Sequence, residues 1–107
     1  MGAAEVIANY EALAALTGRM HETALRGDWD ALVAMEQDRG RMIETMKPLD
    51  AAMPLDAAAR ERKRELIAAV LAQDEEIRAA TRSWMDQLQA ERQSSLRQIR
   101  LLKEYGA

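Results

Sequence analysis

The chain has 107 residues, one domain's worth, and is 49% hydrophobic with no cysteine and no phenylalanine. The missing cysteines exclude a disulfide scaffold, a thiolate metal site and a cysteine nucleophile. A core limited to Leu, Ile, Val, Met and Ala is that of close-packed helices, not of a sandwich or barrel. A net charge of −3 argues against a general nucleic-acid binder.

Met1 to Tyr10 lacks the basic end and long apolar run of a signal peptide, which points to the cytoplasm. Nowhere do about 18 apolar residues run together, so no membrane insertion is expected. From about Ala4 to Arg26, Val6, Tyr10, Leu13, Leu16, Met20 and Ala24 recur at helical spacing. Gly27 predicts the stop, because glycine enters the left-handed region at little cost.

Asp28 follows as the N-cap of a second helix, expected over about 29–47. Leu32, Met35, Met42, Ile43 and Met46 supply its apolar side. The short join forces an antiparallel hairpin. Pro48 predicts the end of this helix, since the residue before a proline is pushed out of helical geometry. Residues 48–55 then read as the one real loop, with Asp56 as the next cap.

From Ala57 no Gly or Pro occurs until Gly106. A heptad seam runs through Ile67, Val70, Ile77, Thr81, Trp84 and Leu88, with Asp74 an oddity on it. The seam fails at Glu91 and Ser95. Leu96, Ile99, Leu102 and Tyr105 resume in a shifted phase. The pattern predicts a third helix over about 57–92, a break near Gln93-Ser94-Ser95 and a short fourth helix over about 96–104. The expected fold is thus all-α: an antiparallel three-helix bundle with a long third helix and a short C-terminal fourth.

At 1.5 Å per residue the first three helices span roughly 35, 28 and 50 Å. The third outruns its partners, leaving Trp84, Met85 and Leu88 to be covered by the fourth helix or by another protein.

No catalytic pattern emerges, so no enzyme, cofactor or metal is expected. His21 is the only histidine, and the Glu-x-x-His pairs of a bundle metal site are missing. There is no phosphate loop and no nucleophile elbow. Glu36 and Arg39 share a face with Leu32 and Ile43, as an ion pair at the core edge or a polar contact for a partner. The run from Arg60 to Arg64 interleaves with Glu61 and Glu65 and reads as a solvated face. The bases Arg92, Arg97, Arg100 and Lys103 sit on an amphipathic segment and suit an acidic protein partner better than a membrane. Methionine is flexible and polarizable, and serves adaptable surfaces as well as cores. The candidate partner-binding residues are Met35, Met42, Ile77, Trp84, Leu88, Leu96, Ile99 and Tyr105.

The set Tyr10-x-x-Leu13, Met20, Ala24, Trp29-Asp30-x-Leu32 and Glu36 resembles the first hairpin of FliT-type flagellar export chaperones. The Gly-Asp-Trp-Asp turn at 27–30 is its most recognisable piece. Met85-Asp86-x-Leu88 and Tyr105-Gly106 fall where that family has similar residues. The resemblance implies a cytosolic helical bundle that binds the C-terminal region of the flagellar filament cap protein, keeps it soluble and delivers it for type III export. It also implies that the last helix regulates access, and that export gate and export ATPase components are partners, with Tyr105 matching a position linked to gate docking. Enteric members, which also restrain the master transcriptional regulator of flagellar genes, continue with a tail past the point where this sequence stops. The alternatives are a regulator acting on that transcription factor and a structural or adaptor protein forming a homodimer through the seam of helix three.

Overall fold

A computed structural model describes residues 2–106. It contains α1 (Ala3–Leu25), α2 (Trp29–Ala52) and α3 (Ala57–Glu104), and no strand among the described residues.

The α1–α2 turn forms as its residues dictate. Gly27 takes φ +73°. Its N–H donates to the Ala24 carbonyl at 3.0 Å, and the Asp28 N–H donates to the Thr23 carbonyl at 3.3 Å. This pair of bonds satisfies carbonyls that the helix end would otherwise leave open. The Asp28 carboxylate then accepts from the Ala31 N–H at 3.2 Å and caps α2. Asp56 repeats the device at the start of α3, accepting from the Ala59 N–H at 2.8 Å.

Two boundaries differ from the expectation. α2 does not end before Pro48 but continues to Ala52. A proline inside a helix removes one hydrogen bond and crowds the preceding turn, at a cost of about 3 kcal/mol. Here the ring lies on an exposed face, while Met46 before it is buried. The last turn is also tied down: Asp50 accepts from the Tyr10 hydroxyl at 2.8 Å and from Lys63 Nζ at 2.8 Å. These bonds join the ends of all three helices and offset the proline.

The second correction is at Gln93-Ser94-Ser95. There is no break and no fourth helix. α3 runs unbroken for 48 residues. No Gly or Pro interrupts it, and a lapse in the apolar pattern removes a packing face without removing the backbone's reason to stay helical. The molecule measures 74 × 21 × 19 Å, close to the roughly 72 Å length of α3 alone.

α1 is the central helix. It packs against both α2 and α3, whereas no Cα of α2 comes within 8 Å of one in α3. Leu16, Met20 and Ala24 of α1 meet Leu32 of α2 and Ile77 of α3 in the main core, flanked by Trp29, Met35, Met42 and Ala80. Val6, Leu13, Met46 and Leu66 are buried as well. The buried hydroxyls of Thr17 and Thr23 donate to the carbonyls one turn back, Leu13 and Arg19, each at 2.8 Å.

Candidate protein-binding surface

α2 and α3 do not pack backbone to backbone; both lie against α1, and three side-chain bridges link them to each other. At the hairpin end, Trp29 and Trp84 stack with ring centroids 4.7 Å apart and planes tilted by 39°. In the middle, Arg39 Nη1 donates to Asp74 Oδ1 at 2.6 Å and to Thr17 Oγ1 at 3.3 Å, while Nη2 donates to Glu36 at 3.1 Å. At the far end stands the Asp50–Lys63 pair. His21 Nδ1 and Gln73 Oε1, 2.6 Å apart, add a link between α1 and α3.

The electrostatics of the bridges follow from burial and pairing. Burial works against the Arg39 charge, but Asp74 and Glu36 outweigh it and hold the guanidinium above its ordinary range. Burial likewise disfavours the Asp50 carboxylate, and hydrogen bonds from Lys63 and Tyr10 overcome that and lower it. The bond to Asp50 raises Lys63. Burial, then the Asp50 bond, raises the Tyr10 hydroxyl. Asp74, odd on an apolar seam, is therefore the counter-charge of an arginine from another helix. Of the two options for Glu36 and Arg39, the structure shows the ion pair.

The candidate residues separate into two groups. Met35 and Met42 are half-buried against the core, Ile77 is buried in it, and Trp84 is half-buried on Trp29. The indole N–H of Trp29 is buried with no hydrogen-bond partner among the described residues. Leu88, Leu96, Ile99 and Tyr105 stand instead on a bare stretch of α3. Every residue from Met85 to Gly106 is exposed. The depressions there, lined by Met85, Leu88, Arg92 and Ser95 and by Leu101, Leu102 and Tyr105, are open surface of one helix. The seam from Ile67 to Trp84, by contrast, is buried or half-buried. No group of three or more His, Asp or Glu residues is placed to hold a metal ion among the described residues.

Against this geometry, a family model described as flagellar protein FliT matches residues 7–107. The chain belongs to the FliT family. Neither the comparison with curated proteins nor that with solved structures finds a significant match.

The FliT-like anchors have distinct structural jobs. Trp29 closes the hairpin end of the core and Asp30 lies exposed in the first turn of α2. Tyr10 and Leu13 belong to α1's inward side. Tyr105, 81% exposed, caps the far end of α3 and contributes nothing to the core. Met85, Leu101 and Leu102 were not among the candidates, yet they are as exposed as those that were. The overhang of the third helix was the signal for Met85, and the shifted apolar phase after Leu88 that for Leu102. No helix among the described residues is long and apolar enough to cross a membrane.

Proposed function

We propose that this flagellar protein is a cytosolic export chaperone that holds the C-terminal region of the filament cap protein and hands it to export gate and export ATPase components. The observation that carries this reading is the bare apolar stretch of α3, Met85 to Tyr105, adjoining the Trp29–Trp84 stack. An amphipathic cargo helix laid along Met35, Met42, Trp84 and Leu88 covers apolar surface on both chains and needs no cofactor. Holding of this kind is stoichiometric. The C-terminal end of α3, with Tyr105 free, is then the part left to meet the export machinery and to regulate access to the cargo.

Calorimetry with a peptide from the cap protein's C-terminal region tests the proposal. Saturable binding that Trp84→Ala and Leu88→Asp weaken is the expected result. No heat of binding at about 50 μM peptide, where any affinity of chaperone grade would register, overturns it.

A further inference from the structure

Beside the Trp29–Trp84 stack lies a notch of about 270 Å³, formed by the α1–α2 turn and α3. Trp29 lines it. Its Nε1 is buried without a hydrogen-bond partner among the described residues, and a side chain at Gly27 would begin 3.9 Å from that nitrogen. A buried indole N–H ordinarily finds an acceptor, because leaving it unpaired forfeits its bond to water with no return. A leucine or phenylalanine would fill this place without that loss. The other walls select the acceptor. Ala24, Ala80 and Trp84 are apolar, and among the described residues no acidic side chain lines the notch. Arg26 lines it too, but its Nη2 donates to Thr23 Oγ1 at 3.2 Å, within its own helix. A carboxylate drawn between such walls loses far more hydration than a neutral group does. From α3, Ser83 and Gln87 stand one turn apart and exposed, each with an oxygen able to accept a hydrogen bond.

We propose that this notch takes the carboxamide of an asparagine or glutamine in the cargo, its oxygen accepting from Trp29 Nε1 and its NH2 donating to Ser83 or Gln87. The inference rests on the cargo reading above and deepens it, by giving that surface one polar position that sets register. Trp84 belongs both to the notch and to the proposed cargo surface, and Leu88 follows Gln87 directly. A cargo helix seated on Trp84 and Leu88 therefore passes the notch. Carbonyls inside that helix are already bonded to its own N–H groups, which leaves a side chain to supply the oxygen. In the free chain the indole N–H is covered. Arg26, Gln87 and Leu25, the last 67% exposed, are surface side chains that can turn aside to uncover it. A cargo lacking the amide leaves the donor unpaired under the complex, so Trp29 discriminates by penalising the wrong segment as well as by rewarding the right one.

Calorimetry on the full chain with the cap-protein C-terminal peptide tests this as a double-mutant cycle. Trp29→Phe keeps an aromatic ring and removes the N–H. In the peptide each asparagine is replaced in turn by leucine and each glutamine by methionine, which keep the shape and lose the amide. Trp29→Phe is expected to weaken the native peptide about ten-fold, the worth of one good hydrogen bond. One peptide replacement should weaken binding to the unaltered chain by a similar factor and leave binding to Trp29→Phe unchanged. A second measurement needs no variant of the core. The chain has two tryptophans, so a 15N-labelled sample shows two indole N–H resonances. That of Trp29 should move downfield as the native peptide is added. An unmoved Trp29 resonance at saturation overturns the proposal. So does a Trp29→Phe chain that loses affinity equally for every peptide, which would assign the acceptor to the cargo backbone or the effect to packing. Binding by the unaltered chain with no coupled position sinks the amide site alone, whereas no binding at all sinks the cargo reading and this inference with it.

Discussion

One helix of this protein lives in two environments. Between Ala57 and Trp84, α3 buries Leu66 and Ile77 against α1 and anchors all three bridges to α2 with Lys63, Asp74 and Trp84. Beyond Trp84 the same helix, with as many large apolar side chains, is exposed at every described residue. Neither composition nor helical propensity separates the halves. What separates them is the length of α1 and α2, which stop at the hairpin beside Trp84. Exposed apolar surface here is thus a product of unequal helix lengths rather than of a special sequence. An isolated helix of some 20 residues is only marginally stable in water, so the bare half borrows its order from the anchored half.

The sharpest way to break this contrast is to shorten side chains in both halves. Met20→Ala, at a fully buried site, is expected to cost about 3 kcal/mol in urea unfolding. Ile99→Ala should stay within about 0.5 kcal/mol in dilute solution. Equal losses would mean that the bare half is packed within the monomer.

A smaller effect tests the bridges. Asp74→Ala leaves Arg39 mostly buried without its closest counter-charge, at an expected cost of about 2 kcal/mol. Replacing both, as Arg39→Met with Asp74→Leu, should recover most of that loss. A double variant no better than the single would show that the bridge does not act as a pair.

Next in size, Gly27→Ala forces a side chain into φ +73° and should lower stability by about 1 kcal/mol. The same substitution at Gly40, inside α2 with open space around it, should be neutral or stabilising. A loss at Gly40 matching that at Gly27 would remove the turn's special role.

The smallest expected effect is pH dependence at the Tyr10–Asp50–Lys63 tie. Asp50 titrates lower when folded, so its contribution is present above about pH 4 and fades as pH falls through its folded value. Lys63 and Tyr10 titrate higher when folded, so theirs are present below about pH 10 and fade as pH rises beyond it. Asp50→Asn should flatten the acid limb of a stability-against-pH curve. An unchanged limb would assign it to other carboxylates.

The α1–α2 turn was legible because Gly27 and Asp28 act through bonds to residues within five positions. Asp56 was legible for the same reason. Pro48 misled because what holds α2 together past it comes from Tyr10 and Lys63, far away in sequence. Asp74 stayed an oddity because its partner lies 35 residues earlier on another helix. At Gln93-Ser95 the apolar period changed phase, and a change of phase looks the same in sequence whether the backbone breaks or only the neighbour ends. Of the candidate surface, the bare residues after Leu88 were legible as an unmatched apolar set. That Ile77 is buried in the core depends on the packing of α1, which periodicity alone does not locate.

The molecule's 74 Å length has a hydrodynamic consequence. The radius of gyration is 21.0 Å, against about 13 Å for a compact chain of this size. So slender a rod diffuses like a much heavier sphere, and a lone copy elutes from a sizing column where a globular dimer would. Mass must therefore be read by equilibrium sedimentation or light scattering, which are blind to shape. Small-angle scattering can read the shape itself.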